Sequence, residues 1–230
     1  MNDFEGIYFV KKHKIEAKGE FKLDKKFMID ATARAFIADA AFYILGEGGF
    51  AKEVRQLMFD CGAKTITMLG KNDEVNIPND DFALLGVGTP ELKLKIVSDL
   101  QKNYRLPNFI NVNHPTSIVS NTIFGKGNIV CAGTIFTVDV QVDDFNAFNL
   151  NCTIGHGCKI GSYNQVNPGT NISGGVIMGD RCLIGTGVQI LEDINICSDV
   201  LIGAGAVVAK DIVEAGTYVG IPARKIEKKD

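Results

Sequence analysis

A period of six residues dominates the second half of this chain. From Ile118 to Val208 every sixth residue is apolar, without exception. The members of the series are Ile118, Phe124, Val130, Phe136, Val142, Phe148, Ile154, Ile160, Val166, Ile172, Met178, Ile184, Ile190, Ile196, Ile202 and Val208. Because a period of six fits neither the turn of an α-helix nor the alternation of an amphipathic strand, we interpret it as an internal repeat.

The residues between the apolar positions suit tight corners. The position after each apolar residue is often Gly, and the fourth position after it is small or β-branched, as in Thr134, Cys152 and Ala206. A chain that turns every six residues makes a triangular coil, and stacked coils align the apolar residues along one axis. The pattern predicts a left-handed parallel β-helix of about five coils, an exception to the usual right-handed crossover.

Composition limits the partners and the compartment. The 230 residues carry a net charge of −3, which argues against binding to nucleic acid or to an anionic membrane surface. No apolar run approaches the length of a membrane span, and the first 26 residues lack a signal-peptide core. Five of the six cysteines occupy small positions of the repeat, so we expect reduced packing residues in a cytoplasmic protein.

The chain before the repeat has a different character. Residues 1–40 form an N-terminal extension of unknown role, with charges of both signs and strand-like patterns at 6–10 and 13–23. We interpret residues 41–112 as a small Rossmann-like α/β domain and residues 113–230 as the β-helix domain with a C-terminal tail. The predicted fold class is therefore mixed, an α/β domain followed by a left-handed parallel β-helix.

Four strands and two helices are predicted in the α/β domain. The strands are expected at 42–45, 65–69, 83–87 and 109–112, and the helices at 50–61 and 90–104, the second capped by Thr89. Gly46, Gly48 and Gly49 form a tight turn before the first helix, where main-chain N–H groups can bind a phosphate.

The glycine turn is not that of a typical dinucleotide site. It lacks the third glycine of the GxGxxG motif, and Gly70 and Lys71 stand where an acid that binds the ribose would end the second strand. We therefore expect a nucleotide diphosphate rather than NAD. A purely structural turn is the alternative.

One of the three histidines lies within the repeat. His156 follows axial Ile154 by two residues and is expected to point outward at a corner, with the backbone N–H of Gly174 one coil further along. A base beside an amide donor suits acyl transfer, since one removes the proton of the nucleophile and the other stabilises the oxyanion. The alternative is an unrelated surface histidine. Zinc chemistry would need several converging histidines, so no metal is expected, and His114 is expected to shape a turn at the domain junction.

Five motifs, taken in order, resemble the sugar O-acyltransferase family of hexapeptide-repeat acyltransferases. This family includes the sialic acid O-acetyltransferases and the UDP-4-amino-sugar N-acetyltransferases. The motifs are GEGGFAKEV at 46–54, HP at 114–115, NLNCTIGH at 149–156, IGAGAVVAKD at 202–211 and VGIPA at 219–223. The likeness covers about residues 42–226 and leaves the first forty residues outside.

The resemblance implies a homotrimer of β-helices, with acetyl-CoA in the groove between neighbours and a nucleotide sugar on the α/β domain. His156 matches the general base of the family, and Gly174 matches the amide that receives the thioester oxygen. The positions that match acetyl-CoA contacts are Gln165, Gly174, Thr186 and Ala204. Gly48, Gly49, Phe50 and Gly88 match nucleotide contacts, and Lys71 is a further candidate for binding the nucleotide sugar.

Two positions depart from the family pattern. Gly157 follows His156 where relatives commonly have Glu or Asp, so the carboxylate that would orient His156 is left open. Gly70 and Lys71 replace acids that bind the nucleotide in relatives, which leaves the nucleotide itself open.

These observations predict an acetyl-CoA-dependent acetyltransferase that acts on a sugar. The first hypothesis is direct attack by the amino group of a nucleotide-linked amino sugar of glycan biosynthesis, with His156 as general base and no covalent enzyme intermediate. One alternative is O-acetylation of sialic acid or another small acceptor. Another is a non-catalytic trimeric scaffold.

Overall fold

The computed structural model describes residues 28–29, 40–71, 73, 75–78, 81–104 and 106–226. It confirms the mixed architecture, an α/β unit followed by a left-handed parallel β-helix. The strand patterns predicted at 6–10 and 13–23 lie outside the described residues. None of the helices in the described part combines the length and the apolar character needed to cross a membrane.

The α/β unit is a four-stranded parallel sheet with the order β3-β2-β4-β5. Its strands are β2 (Ala41–Leu45), β3 (Thr65–Leu69), β4 (Phe82–Leu85) and β5 (Asn108–Phe109), and its helices are α1 (Gly49–Asp60) and α2 (Pro90–Asn103). Helix α1 buries Ala51, Val54, Leu57 and Met58 against this sheet. Thr89 precedes α2 but makes no side-chain capping hydrogen bond.

The predicted fourth strand is divided between two sheets. Asn108–Phe109 pairs with β4, whereas β6 (Asn111–Asn113) pairs with a strand of the β-helix, and Ile110 lies between the two. The expectation of a single strand at 109–112 was wrong because Phe109, Ile110 and Val112 are all buried. Hydrophobic patterning cannot locate a change of sheet inside a continuous buried run.

The β-helix is built from strands of two to four residues. They are β1 (Met28–Ile29), β6, β7 (Ile118–Val119), β8 (Thr122–Phe124), β9 (Ile129–Val130), β10 (Ile135–Phe136), β11 (Val140–Val142), β12 (Ala147–Phe148), β13 (Thr153–Ile154), β14 (Lys159–Ile160), β15 (Gln165–Val166), β16 (Asn171–Ile172), β17 (Ile177–Met178), β18 (Leu183–Ile184), β19 (Gln189–Ile190), β20 (Asn195–Ile196), β21 (Val200–Ile202), β22 (Val207–Val208), β23 (Gly216–Val219) and β24 (Arg224–Ile226).

Three sheets form the sides of the β-helix. Face A has the order β1-β6-β9-β12-β15-β18-β21-β23-β24, face B the order β22-β19-β16-β13-β10-β7, and face C the order β20-β17-β14-β11-β8. The chain runs from face A to face B to face C, and we call the corners between them A–B, B–C and C–A. The stack has about six coils, one more than predicted, because β6 and β23 extend face A beyond the repeat.

The axial column is confirmed from Phe124 to Val208. Each of these fifteen residues is at most 5% exposed, and successive coils pair with a register of eighteen, as in Ile154↔Ile172. The first member of the series is an exception. Val119, not Ile118, pairs with Phe136, and Ile118 is 56% exposed. The first coil is one residue shorter than the others, and two adjacent apolar residues conceal the shift in the sequence.

A left-handed backbone conformation occurs at the third residue after each axial residue. Between residues 127 and 205 the φ angles at this position lie from 55° to 72°. The residues concerned are Gly127, Gly133, Asp139, Phe145, Asn151, Gly157, Tyr163, Gly169, Gly175, Arg181, Gly187, Asp193, Asp199 and Gly205. This requirement explains the predominance of Gly, Asn and Asp at these corners. None of the six cysteines, all of which lie in the described part, forms a disulfide bond.

The α/β unit packs on face A and on the C–A corner. Ile129 and Ala147 of face A belong to the same apolar cluster as helix α1. At the corner, Phe109 contacts the edge of the Phe145 ring at 5.0 Å, and the Tyr163 ring stacks on Phe145 at 5.3 Å. Two aromatic residues with positive φ therefore anchor the α/β unit, and this packing offsets their backbone strain.

Candidate functional site

His156 and Gly174 lie together at the B–C corner. They follow β13 and β16, which are paired neighbours on face B. A Cβ placed on Gly174 would lie 2.5 Å from Nε2 and 2.6 Å from Cε1 of His156. The exposed imidazole therefore lies directly on the bare main chain of Gly174. The structure brings together the two residues that the eighteen-residue spacing singles out.

The main-chain N–H of Gly174 has no hydrogen-bond acceptor among the described residues. Equivalent amides at the C–A corner are satisfied by side chains of the next coil. There Lys126 N–H donates to Asp144 Oδ1 at 2.8 Å, and Ser162 N–H donates to Asp180 Oδ1 at 2.7 Å. At the B–C corner the corresponding residue of the next coil is Glu192, and no hydrogen bond joins it to the Gly174 N–H, so this amide is available to a ligand oxygen.

No described side chain donates to or accepts from the imidazole of His156. The following residue, Gly157, has a φ of +68° and occupies one of the left-handed corner positions. A Cβ at Gly157 would meet no atom within 4 Å. The carboxylate that sequence reasoning left open is thus not supplied by the described part of this chain, although space for one exists beside the ring.

The other predicted acetyl-CoA contacts are separated from His156. Gln165 lies on face A, is 2% exposed and contacts the α/β unit. Thr186 and Ala204 are exposed at the A–B corner. Within one chain the residues predicted for the coenzyme therefore lie on two corners and a covered face, with only Gly174 next to the imidazole.

The glycine turn opens the N-terminus of α1 to solvent. Gly46 has a φ of +140° and lies close to Gly86. A Cβ on Gly46 would be only 2.5 Å from the carbonyl oxygen of Gly86. Gly48 is the N-cap residue, makes no side-chain cap, and no acid lies in the first turn of the helix. A Cβ on Gly48 or Gly49 would meet nothing within 4 Å. The helix end can therefore accept an anion, and half-buried Phe50 borders it.

Two carboxylates that the sequence reasoning missed lie at the end of β3. The Glu47 carboxylate lies against Gly70, and Asp73 accepts a hydrogen bond of 2.7 Å from the Gly70 N–H. Lys71 is exposed beside them. As expected, no acid ends the strand itself. In the folded chain, however, two acids from outside the strand lie beside Gly70. Asp73, three residues beyond Gly70, was the available signal.

Gly88 lies beside the β-helix. The loop at 86–89 follows β4, and a Cβ on Gly88 would lie 3.9 Å from Cδ and Oε1 of Gln165. The loop adjoins the glycine turn through the contact between Gly46 and Gly86. Both loops follow the carboxyl ends of neighbouring parallel strands, the usual position of ligand sites in open α/β sheets.

A basic cavity lies near the C-terminal end of the β-helix. Its volume is about 370 Å³, and its lining includes Lys210, Arg224 and Lys225. Lys225 also forms an ion pair of 2.8 Å with Glu214. Lys210 follows His156 by three coils in the same corner column, about 14 Å along the axis at roughly 4.8 Å per coil. Lys210 lies 54 residues after His156, which is three coils of eighteen, and this spacing was the sequence signal that both residues share a corner column.

His114 has the expected turn-forming role. Its carbonyl oxygen accepts hydrogen bonds from Ser117, and the Thr116 N–H donates to Nδ1 at 3.1 Å. Because Nδ1 is an acceptor, Nε2–H donates to Asp60 at 3.2 Å, which ties the turn to the end of α1. No group of three or more His, Cys, Asp or Glu in the described part is arranged to hold a metal ion.

Comparison with known proteins agrees with the repeat and the fold. The family "Bacterial transferase hexapeptide (six repeats)" matches residues 157–192 and 175–210. No curated protein sequence is significantly similar to the chain.

Solved structures of the same fold cover most of the chain. The acetyltransferase domain of PglB from Neisseria gonorrhoeae FA1090 is 24% identical, with a TM-score of 0.74 over 82% of this chain and 100% of that one. PerB from Caulobacter crescentus, in complex with CoA and GDP-perosamine, is 24% identical, with a TM-score of 0.73 over 83% and 99%. WeeI from Acinetobacter baumannii AYE is 22% identical, with a TM-score of 0.69 over 81% and 100%. At these identities the likeness establishes the fold.

Proposed function

We propose that the chain is an acetyl-CoA-dependent acetyltransferase that acetylates the amino group of a nucleotide-linked amino sugar. The observation that carries this proposal is the His156 imidazole lying on Gly174, whose N–H has no acceptor in the described part. The ligands of two structures with this fold support it, because PerB holds CoA and GDP-perosamine and the PglB domain holds acetyl coenzyme A.

The geometry suits direct transfer. Nε2 of His156 takes a proton from the sugar amine as the nitrogen forms a bond to the thioester carbon. The carbonyl oxygen gains negative charge next to the Gly174 N–H, which stabilises it. The carbon–sulfur bond then breaks, His156 returns the proton, and CoA leaves as the thiol. The balanced products are an N-acetyl sugar and free CoA.

A second copy of the chain is needed to complete this site. The α/β unit covers face A, and the B–C corner is the corner opposite that face. The nucleotide pocket and His156 of one chain therefore face away from each other. Exposed apolar side chains surround the corner, with Val138 48%, Ile177 47% and Leu191 42% exposed. We infer a homotrimer in which this corner meets the α/β unit of a neighbour.

The remaining candidate residues are assigned by their position. Thr186 and Ala204 contact acetyl-CoA from the A–B corner of the neighbouring chain, and Gln165 lies behind them on face A. The basic cavity at Lys210 receives the coenzyme phosphates. Its distance from His156, about 14 Å at the rise of a parallel sheet, suits an extended pantetheine arm.

The α/β unit provides the nucleotide site. The diphosphate binds at the N-terminus of α1, beside Gly48, Gly49 and Phe50, and the loop at Gly88 closes the other side. Glu47, Asp73 and Lys71 lie where the base and ribose would bind. The six free thiols support a cytoplasmic location.

Replacement of His156 tests the assignment. We expect His156→Ala to lower kcat by about 10² to 10⁴ and to leave the affinity for acetyl-CoA within twofold, measured with a panel of UDP-, GDP- and dTDP-linked 4-amino sugars. His156→Asn, which keeps the size of the side chain, controls for packing. Normal turnover in either variant would contradict the role of His156.

The same assay separates the alternatives. An acetyl ester in place of an amide among the products would identify an O-acetyltransferase. Absence of acetyl-CoA binding by calorimetry would favour the scaffold.

A further inference from the structure

Lys93 is a buried amine at the seam between the α/β unit and the β-helix. It lies in the first turn of α2, is 1% exposed, and its Nζ donates a hydrogen bond of 2.8 Å to the main-chain oxygen of Asn164. Lysine is almost never fully buried without a partner. The described residues provide one hydrogen-bond acceptor for this amine, the main-chain oxygen of Asn164, although the amine carries several N–H groups.

The acceptor belongs to a rigid part of the β-helix. Buried asparagines at the C–A corner stack along the axis, and each side-chain oxygen accepts the main-chain N–H of the next coil. Asn164 N–H donates to Asn146 Oδ1 at 2.8 Å, and Cys182 N–H donates to Asn164 Oδ1 at 2.6 Å. Lys93 is thus bonded to a residue that is itself held from both neighbouring coils.

The same seam contains the loop of the candidate nucleotide pocket. Gly88 lies next to Gln165, which directly follows Asn164 in the chain, and Oε1 of Gln165 is buried with no hydrogen-bond partner among the described residues. The loop at 86–89 therefore passes beside Gln165 at Gly88 and leads directly into the first turn of α2, where Lys93 is bonded to Asn164 at the C–A corner. Because the helix that begins where the loop ends is fixed on the β-helix, the loop has little freedom.

We propose, on the basis of the proposed function, that Lys93 is a positioning residue that holds the 86–89 loop on face A and thereby sets the affinity for the nucleotide sugar. It acts through the loop and does not touch the ligand. When the anchor is removed, the loop must be ordered at the moment of binding, and this entropy cost weakens the complex. The coenzyme site, on other corners, is unaffected.

The environment of the amine makes the anchor sensitive to pH. Burial lowers the pKa of Lys93 to about 7, and the nearby Cys131 opposes this only in part. Burial also raises the pKa of Cys131 to about 12, with a smaller contribution from Glu53, so this thiol is neutral near pH 7. A released amine regains water and its ordinary, higher pKa. Protonation of the released amine therefore favours release, so the anchor weakens as the pH falls from the ordinary lysine pKa of 10.5 toward about 7 and changes little below that.

The test compares Lys93→Met with Lys95→Met, an exposed lysine on the same helix. Calorimetric titration with UDP-glucose, GDP-mannose and dTDP-glucose from pH 6 to 8.5 avoids a titrating sugar amine. At pH 8 we expect Lys93→Met to weaken the tightest of these complexes about tenfold, the worth of one hydrogen bond. We expect acetyl-CoA affinity and kcat at saturation to stay within twofold. Wild type and Lys95→Met should weaken as the pH falls from 8.5 to about 7 and approach Lys93→Met, with little further change between pH 7 and pH 6.

Hydrogen exchange provides a readout that needs no activity. We expect the peptide containing residues 86–94 to exchange faster in Lys93→Met than in wild type and Lys95→Met. Unchanged exchange or unchanged nucleotide affinity would overturn the anchoring role. An equal loss of acetyl-CoA affinity would show that Lys93 contributes only to the general packing of the chain. If wild type bound none of the three nucleotides, the proposed substrate would be wrong, and the exchange rates alone would decide the anchoring.

Discussion

At the scale of single residues, the absence of a side chain at Gly174 matters as much as the imidazole that covers it. The main chain there requires no left-handed conformation, so alanine is compatible with the backbone. The glycine is needed because the ring of His156 occupies the space of a Cβ. Function and packing can therefore be separated at this position by adding one methyl group.

We expect Gly174→Ala to lower kcat at least a hundredfold, because the methyl group displaces the imidazole from the amide it must work beside. Thermal unfolding should shift by no more than about 2 °C, since a side chain at an exposed corner can move. Steady-state kinetics and calorimetry measure the two effects. Gly187→Ala is the matched control, a change of the same kind at another corner. Because Gly187 has a φ of +71°, this substitution should lower stability without the same loss of kcat. Full activity in Gly174→Ala would contradict the site.

At the scale of elements, helix α1 presents an uncapped N-terminus to the candidate nucleotide. Gly48 has an extended backbone and open space around it, so a side chain there is tolerated. Asp and Asn are both favourable N-cap residues and differ chiefly in charge. This position can therefore test anion binding without harming the helix.

We expect Gly48→Asp to raise KM for the nucleotide sugar at least tenfold, because its carboxylate repels the diphosphate at the helix end. The free energy of unfolding should not fall, since the new cap stabilises the helix by roughly a few tenths of a kcal/mol relative to Gly. Gly48→Asn controls for size and capping and should raise KM much less. Equal effects of the two variants would show that charge at the helix end is irrelevant to binding.

The elements differ in how far sequence reasoning could predict them. The axial column and both helices were predictable because burial repeats with a fixed period along the chain. The change of sheet at Ile110 was not, because its neighbours are buried on both sides of the junction. Glu47 was missed because it reaches Gly70 only after β2 and β3 pair, whereas Asp73 lies three residues beyond Gly70 and was visible in the sequence. The left-handed corners at Phe145 and Tyr163 were also missed, because tertiary packing overrides the usual preference for glycine there.

At the scale of the whole molecule, the B–C corner and the α/β unit lie on opposite sides of one chain. A site assembled from two chains makes a quantitative prediction for mixtures. Chains carrying His156→Ala lack the base, and chains carrying Gly48→Asp have at least a tenfold higher KM for the nucleotide sugar. When the two are mixed, some interfaces contain an intact corner from one chain and an intact pocket from the other.

We expect mixed assemblies of the proposed trimer, refolded or coexpressed at equal ratio, to recover about a quarter of wild-type activity. At each interface the corner comes from an intact chain with a probability of about one half, and so does the pocket. With the nucleotide sugar well below KM, each variant alone should retain no more than about a tenth of wild-type activity. Unmixed homotrimers combined without exchange are the control. Recovery no greater than the sum of the two variants would place the base and the pocket in the same chain.

The last rung of face A has a consequence for the state of the protein in the cell. Strands β6 to β23 run parallel, but β24 turns back and pairs antiparallel with β23, as in Thr217↔Ile226. A stack of parallel rungs would otherwise end in a row of unpaired peptide groups, a template on which another molecule could continue the sheet. The reversed hairpin covers that end. We expect this reversal to disfavour the addition of a further parallel rung to face A.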